Sequence, residues 1–207
     1  AAMAFALPAQ SQVRLPQAGI NTYGMPGVLD MPTATRFSDG LLAFTAAIFP
    51  GTWRATFAFQ VMPRVTLSFR YAAAQVGARS PDGVNHDRSF DLHWQIMDEG
   101  RYLPALALGL RDFLGTGDYS GEYLVATRSI NPRLRASLGI GWGRMATHGS
   151  FTNPLAAIND GFRVRPSRRP GDQGGVIPFH RFFRGPAALF AGLEYQATDR
   201  LTLMAEY

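Results

Sequence analysis

The sequence predicts an all-β protein, an antiparallel transmembrane β-barrel of the outer-membrane type of which about nine strands are visible. Three observations favour this class. Segments of about ten residues, the length of a tilted membrane strand, alternate between apolar and polar side chains. The links between them alternate between short turns and long connections. Gly (22 residues), Pro (14 residues) and 12% aromatic residues are typical of many short strands joined by turns.

The composition limits how the chain could meet a bilayer. Its 207 residues are 46% hydrophobic and 17% charged, yet the mean hydropathy is -0.05, so apolar residues are interspersed with polar ones. No window of the sequence has the length and hydrophobicity of a membrane-spanning helix. Alternating strands are therefore the expected way for this chain to contact lipid.

The charge of the chain does not indicate a nucleic-acid partner. The net charge of +5 comes from arginine, since the sequence contains no lysine. The arginines are scattered and lack the interleaved aromatic residues of single-strand binders. The chain also has no cysteine, so it offers no disulfide, no thiolate metal ligand and no cysteine for lipid attachment.

Three regions are expected along the chain. Residues 1–11 are interpreted as the remnant of a secretion signal peptide, because Ala9-Gln10-Ser11 has the small-x-small form of a cleavage site; a disordered apolar terminus is the alternative. Residues 12–40 are predicted to form an extended segment that plugs the barrel. Residues 41–207 are predicted to supply the strands of an incomplete barrel.

The predicted strands follow one another from residue 41. They cover residues 41–48, 52–61, 63–73, 88–97, 102–111, 120–129, 132–146, 186–197 and 200–207. The clearest alternation lies in Val65–Tyr71, where one face is wholly apolar. Aromatic residues near strand ends suit an interfacial girdle, although core aromatics would give the same pattern: Trp53, Tyr71, Tyr102, Trp142 and Tyr195.

After the second strand, short turns alternate with longer links. The longer links fall around residues 74–87, 112–119 and 147–185, as expected when tight turns face the periplasm and loops face outward. A count of nine is odd, whereas bacterial single-chain barrels use even numbers, so an incomplete chain is expected. A soluble β-sandwich that binds carbohydrate remains an alternative, because its strands also alternate.

Several segments carry a family resemblance. They are Asn21–Ala34, Tyr102–Gly117, Ser120–Ala126, Leu138–Arg144, Phe183–Pro186 and Gly192–Tyr195. In this order they resemble the YjbH-type exopolysaccharide-associated outer-membrane proteins, whose members are much longer. The resemblance implies a bacterial outer-membrane location and a role in making or exporting an extracellular polysaccharide. The arginines of the chain would suit an acidic polysaccharide. The resemblance also implies outer-membrane lipid, lipopolysaccharide and other export-machinery proteins as partners, and it carries over no cofactor and no catalytic residue.

Within the first of these segments, Met25-Pro26-Gly27 predicts a type II turn, with Pro fixing φ and Gly taking a positive φ. The turn would seat the N-terminal segment inside or beneath the barrel, and a surface binding loop is the alternative.

Candidate ligand-binding residues fall into two groups. Polar positions opposite the apolar ones predict contacts in the lumen of the barrel: Arg70, His93, Arg133, Arg135, Glu194 and Glu206. The long link 147–185 is rich in arginine, which could grip acidic sugars or phosphates through paired hydrogen bonds, although a solvated loop is the simpler interpretation. The arginines concerned include Arg163, Arg165, Arg168 and Arg169.

Catalysis and metal binding are weak alternatives. His148 and Ser150 have the spacing of a barrel-embedded hydrolase of lipid or polysaccharide, in which the His activates the Ser. No carboxylate is placed by the sequence to orient that His, and the protein is not expected to be an enzyme. His86, Asp87, Asp91 and His93 could hold a divalent ion, but a turn followed by a polar strand face explains them equally well.

Overall fold

A computed structural model of the protein describes residues 18–75, 83–167 and 175–207. Nine antiparallel strands form one sheet in which each strand pairs with its neighbours in sequence. The strands are β1 (Leu42–Phe49), β2 (Thr52–Met62), β3 (Val65–Gln75), β4 (Val84–Met97), β5 (Ala105–Arg111), β6 (Gly121–Asn131), β7 (Leu134–Gly143), β8 (Ala187–Thr198) and β9 (Leu201–Glu206).

All nine predicted strands are confirmed, with differences at their ends. β4 begins at Val84, four residues before the predicted start, and pairs Val84 with Gln75 of β3. β7 ends at Gly143 and not at residue 146, because Gly143 takes a φ of 62° and a short 3-10 helix, Arg144–Ala146, follows. A positive φ of this kind interrupts the extended backbone of a strand.

The described residues form an open sheet, so the transmembrane barrel, which the sequence predicts as an incomplete one, is not seen as a closed barrel. No described strand pairs with the outer edge of β1 or with the outer edge of β9, and a barrel requires that its first and last strands meet.

The sandwich alternative is wrong for the described residues, because a sandwich needs two packed sheets and one is present. No helix among the described residues has the length and apolar character needed to cross a membrane.

The connections separate into two rims, as the sequence predicted. The turn rim consists of the connections 63–64, 98–104, 132–133 and 199–200. The loop rim consists of the described residues of the other four connections, which are 50–51, 83, 112–120, 144–167 and 175–186. The β4–β5 connection is longer than the predicted tight turn at Asp98-Glu99-Gly100, because β5 begins at Ala105 and not at residue 102.

The two faces of the sheet differ sharply in chemistry. One face, the apolar face, carries large side chains that remain exposed, such as Phe57 (53%), Leu138 (59%) and Leu189 (55%). Its aromatic residues pair across neighbouring strands, with ring centroids 4.9 Å apart in the pair Phe44 and Phe57. The other face, the polar face, carries buried polar side chains. The distribution is the reverse of that in a water-soluble sheet protein, which buries its apolar face.

The polar face is covered by residues 19–37, called here the N-terminal segment. A small apolar core lies between this segment and the middle of the sheet, formed by Ala34, Ala105, Ala107, Tyr123, Val125 and Phe190. Glycines make room for its two rings: a Cβ on Gly109 would fall inside the Tyr123 ring, and a Cβ on Gly139 inside the Phe190 ring. Gly139 thus relieves crowding within β7, the role expected of a glycine inside a strand.

Candidate functional site

The polar face and the N-terminal segment on it form the most highly organised polar region of the described chain. Buried polar side chains come from β2, β3, β4, β6, β7 and β8. They include Thr56, Gln60, Thr66, Ser68, Arg70, Asp87, Ser89, Asp91, His93, Gln95, Thr127, Arg135, Ser137, Glu194 and Gln196. Buried polar groups are stable only when they are paired, so their partners decide what this face can do.

The N-terminal segment begins with a turn built on Asn21. The Asn21 Oδ1 atom accepts hydrogen bonds from the backbone N–H groups of Tyr23 and Met25, both at 3.0 Å. The Gly24 N–H donates to the Asn21 carbonyl at 2.8 Å, and Gly24 takes a φ of 77°. The predicted type II turn at Met25-Pro26-Gly27, with a positive φ at Gly27, is therefore wrong. The chain reverses earlier, between Asn21 and Gly24, and Gly24 has the positive φ.

Gly27 is needed for a different reason. A Cβ at this position would lie 2.5 Å from the Asn21 Nδ2 atom and 2.5 Å from the Met31 carbonyl oxygen. The segment folds back on itself here, through bridges that join Gly27 to Pro32 and Ile20 to Pro26. The sequence motif thus specifies a compact double turn, and the double turn presents Tyr23 to the sheet.

The Tyr23 ring lies among three guanidinium groups of the polar face. The Cζ atoms of Arg54, Arg70 and Arg111 are 4.3, 4.9 and 4.1 Å from the ring centroid. Cations over an aromatic face are attracted by its quadrupole, more strongly where water is excluded. Tyr23 is 8% exposed, so this ring anchors the segment to β2, β3 and β5.

Further contacts attach the segment to the far side of the sheet. The Glu206 Oε2 atom of β9 accepts hydrogen bonds from the backbone N–H groups of Leu29 (3.3 Å), Asp30 (2.9 Å) and Met31 (3.0 Å). The Arg111 guanidinium donates to the Asp30 carbonyl oxygen at 2.7 Å. Hydrogen bonds from backbone N–H groups to a charged carboxylate are among the stronger hydrogen bonds in proteins.

The end of the segment is fixed to the middle of the sheet. The Ala34 N–H donates to the Thr127 Oγ1 atom at 2.7 Å, and Gln95 Nε2 donates to the Ala34 carbonyl oxygen at 2.8 Å. His93 Nε2 lies 2.9 Å from the Thr35 carbonyl oxygen. The backbone of the segment is therefore recognised along its length by side chains of the polar face.

Five of the six predicted lumen residues lie on the polar face, and they contact the protein itself. Arg70 pairs with Asp91 at 2.5 Å with both side chains 1% exposed, and Arg135 lies 3.4 Å from the Glu194 carboxylate. His93 and Glu206 hold the N-terminal segment, as described above. The sixth residue, Arg133, is exposed in the β6–β7 turn at the turn rim. Their role in ligand binding stays a prediction.

The predicted loop arginines have different surroundings. Arg165 donates to both carboxylate oxygens of the buried Glu122, at 2.7 and 2.9 Å, and to the Ser120 Oγ atom at 2.6 Å. Arg163 forms an exposed pair with Asp160 at 2.9 Å. Arg168 and Arg169 lie outside the described residues. The β7–β8 connection thereby covers the apolar face at the loop rim.

Sequence reasoning missed Glu122, since its strand position is one of the apolar face and gives no sign of its partner. Trp142, which pairs with Glu122 across β6 and β7, is 5% exposed and packs edge-on against Phe183 at 5.3 Å. It is therefore covered by the connection and is not part of an exposed aromatic girdle.

Asp112 also went unnoticed in the sequence. It follows β5, takes a φ of 49° and is 1% exposed. Its Oδ2 atom accepts a hydrogen bond from the Tyr119 N–H, while its Oδ1 atom has no partner. Burial raises the pKa of Asp112 to about 7, with a further upward contribution from the neighbouring carboxylates Asp87 and Asp91. Only the long-range fold brings these three carboxylates together.

The described residues give no support to the catalytic or metal alternatives. His148 and Ser150 are both exposed, and no hydrogen bond joins their side chains. No group of three or more potential ligands among the described residues could hold a metal ion. His86 points away from the polar face and lies 2.9 Å from the Tyr71 hydroxyl, so it is separated from Asp91 and His93, which lie on the polar face.

Comparisons with known proteins agree with the resemblance drawn from the sequence motifs. The chain is 34% identical over 192 residues to a protein of Escherichia coli (strain K12) named "Uncharacterized lipoprotein YjbH". That match covers 89% of this chain and 27% of the relative, so the chain spans about a quarter of the relative's length. No solved structure matches the chain. The model of the family described as exopolysaccharide biosynthesis protein YbjH matches residues 19–207, and the chain belongs to this YjbH family.

Proposed function

We propose that this chain forms part of the wall of an outer-membrane β-barrel that supports biosynthesis or export of an extracellular polysaccharide in a Gram-negative bacterium. The observation that carries the proposal is the inverted sheet. Its apolar face is exposed, and its polar face is buried beneath the N-terminal segment. A membrane barrel has this arrangement, with apolar residues toward lipid and polar residues toward the lumen.

The burial of particular side chains makes the inversion quantitative. Arg70, His93 and Glu194 are at most 1% exposed, whereas Phe57 and Leu189 of the apolar face are more than half exposed. An apolar patch that extends over many strands is costly in water and marks a surface that contacts something apolar. Hydrocarbon is the proposed occupant, because the apolar residues continue across all nine strands and are not confined to one groove.

The open edges of β1 and β9 fit the same proposal. An unpaired strand edge invites association, and natural proteins cover or pair such edges. The family relative is more than three times as long as this chain, since the matched part of the chain covers 27% of it. Further strands of a longer protein would pair with β1 and β9 and close the wall.

The polysaccharide role follows from the family. The family is described as one of exopolysaccharide biosynthesis, and the proposed part played by this chain is structural and non-enzymatic. In this proposal the N-terminal segment is a plug that occupies the lumen. Outer-membrane lipid, lipopolysaccharide, the polysaccharide and other export proteins would be its partners.

Replacement of Phe57 by Arg tests which medium covers the apolar face. In water the substitution of a half-exposed side chain would change the free energy of unfolding little, whereas on a lipid-facing strand it costs about 2–4 kcal/mol. We expect Phe57→Arg to lower the stability of the membrane-inserted protein by this amount and to reduce its level in the outer-membrane fraction. Heat-modifiable mobility in gel electrophoresis monitors the folded barrel.

The matched control is Ile158→Arg. Ile158 is 81% exposed and lies in the β7–β8 connection, outside the strands, so its replacement should leave stability and location unchanged. The membrane proposal would be contradicted if both substitutions changed stability only slightly and the protein were recovered in the soluble periplasmic fraction.

A further inference from the structure

A cavity of about 290 Å³ lies at the loop rim, and arginines from three parts of the chain line it. Arg144 follows β7, Arg165 belongs to the middle of the β7–β8 connection, and Arg181 and Arg184 precede β8. Among the described residues that line this cavity, Asp118 is the one carboxylate. This space is called here the arginine cavity.

Two of the guanidinium groups of the arginine cavity, those of Arg165 and Arg181, are held in place by hydrogen bonds. Arg165 is fixed by its two hydrogen bonds to Glu122, which is 1% exposed. Arg181 donates from Nε to the Pro166 carbonyl oxygen at 3.1 Å, and its own carbonyl oxygen accepts a hydrogen bond from Arg165. A site whose donors are already positioned loses little conformational entropy when a ligand binds.

The charges of the described residues favour an anion. Among them, four guanidinium groups and two carboxylates, those of Asp118 and Glu122, lie at or next to the arginine cavity, which is an excess of two positive charges (4 − 2). Arginine presents a planar fork of donors that matches a carboxylate or a phosphate. The arginine cavity is therefore complementary to a compact anionic group.

A second cavity of about 320 Å³ adjoins the first, and the two share Arg144 and Thr147. Its other walls include Tyr23, Phe190 and Tyr207 together with Arg111 and His148. Aromatic walls with a few directed polar groups are typical of small-ligand sites. This aromatic cavity borders the N-terminal segment, so the two spaces run from the loop rim toward the covered polar face.

We propose that the arginine cavity and the aromatic cavity together bind an acidic polysaccharide. The arginine cavity takes the carboxylate of a uronate-type residue, and the aromatic cavity takes the ring of the neighbouring sugar, with Arg144 between them. This inference rests on the proposed polysaccharide function and deepens it by naming the class of sugar. Lipid phosphate is the less favoured ligand, because the aromatic cavity that continues the arginine cavity is lined by Tyr23 and Arg111 of the polar side of the sheet.

Binding of a charged and a neutral oligosaccharide tests the anionic part of the site. The full-length protein in detergent is titrated calorimetrically with trigalacturonate, and with maltotriose as the uncharged probe. We expect trigalacturonate to bind and maltotriose to bind at least tenfold more weakly. Arg144→Gln and Arg184→Gln should each weaken trigalacturonate binding about tenfold or more, which corresponds to about 1.4 kcal/mol.

Arg163→Gln is the matched control, because Arg163 lies in the same connection, pairs with Asp160 and is 60% exposed. It should bind trigalacturonate as the unaltered protein does. Tyr207→Ala should weaken binding through the aromatic cavity, whereas Tyr102→Ala at the turn rim should not. Equal affinity in the Arg144, Arg184 and Arg163 variants would overturn the proposal. Absence of trigalacturonate binding by the correctly folded protein would overturn it as well.

Lipopolysaccharide micelles and a polysaccharide export assay separate the remaining outcomes. Binding of the micelles without binding of trigalacturonate overturns the proposal in favour of a lipid phosphate. If trigalacturonate does not bind but the protein sits in the outer membrane and its deletion stops export, the site fails while the proposed function stands. If it binds as expected and deletion leaves export unchanged, the site stands and the proposed function fails.

Discussion

Tyr23 has the most unusual surroundings of the described side chains, because Arg54, Arg70 and Arg111 all lie against one ring. Three like charges would repel one another in an apolar pocket. The Arg70–Asp91 pair offsets one of them, and the ring supplies a negative face to all three. The family motif around Asn21 and Gly24 thus serves to place this ring.

Tyr23→Leu should therefore loosen the N-terminal segment. The Leu side chain keeps much of the apolar volume but has no quadrupole, so we expect a loss of about 2 kcal/mol or more in the free energy that holds the segment. Hydrogen exchange of the amides in residues 19–37 measures this. Tyr23→Phe retains the ring and should protect these amides nearly as well as Tyr does. Equal rates of amide exchange in the Leu and Phe variants would show that the ring contributes nothing beyond its size.

The Asp112 carboxyl predicts a pH dependence of stability. Its pKa is raised to about 7 from a usual value of 3.8, so the folded protein holds a proton that the unfolded chain releases between these values. The contribution of this group to the free energy of unfolding is fully present below about pH 4 and is lost as the pH rises through about 7. One pKa unit corresponds to about 1.4 kcal/mol, which makes the loss a few kcal/mol.

Asp112→Asn should remove this part of the pH dependence. Asn tolerates the positive φ at this position and cannot ionise, so the variant should be more stable than the unaltered protein at pH 8. Thermal unfolding between pH 4 and pH 8 measures the difference. Asp199→Asn, at an exposed site in the β8–β9 turn, is the control, and a pH profile unchanged by Asp112→Asn would contradict the assignment.

At the scale of elements, the Phe190 ring of β8 lies over the backbone of β7 because its cross-strand partner, Gly139, has no side chain. Gly139→Ala would place a methyl group inside that ring. Overpacking of this kind costs about 1–3 kcal/mol, which urea unfolding of the folded protein would detect. Gly100→Ala meets nothing within 4 Å and should be neutral. A second change, Phe190→Leu, should recover part of the loss in the Gly139→Ala protein.

At the scale of the whole molecule, the sequence predicted what depends on local pattern and missed what depends on distant contacts. Alternation identifies a strand from its own residues, so all nine strands were predictable. The start of β4 was missed because Asn85, His86 and Asp87 resemble a polar loop. The partners of Glu122, Tyr23 and Asp112 come from residues far away in the chain, and no local pattern encodes them. The partners of the outer edges of β1 and β9 were not predictable either, because alternation does not say which edges pair.

The two rims predict an orientation in the membrane. Barrels of the outer membrane place short turns in the periplasm and longer loops outside, so the loop rim and the arginine cavity should face the medium. The chain has no cysteine, and a single introduced thiol can therefore be labelled without background. Ile158→Cys at the loop rim should react with a bulky maleimide in intact cells. Asp199→Cys at the turn rim should react after the outer membrane is permeabilised; the reverse pattern would invert the orientation and move the arginine cavity to the periplasmic side, where it would meet the polysaccharide before export.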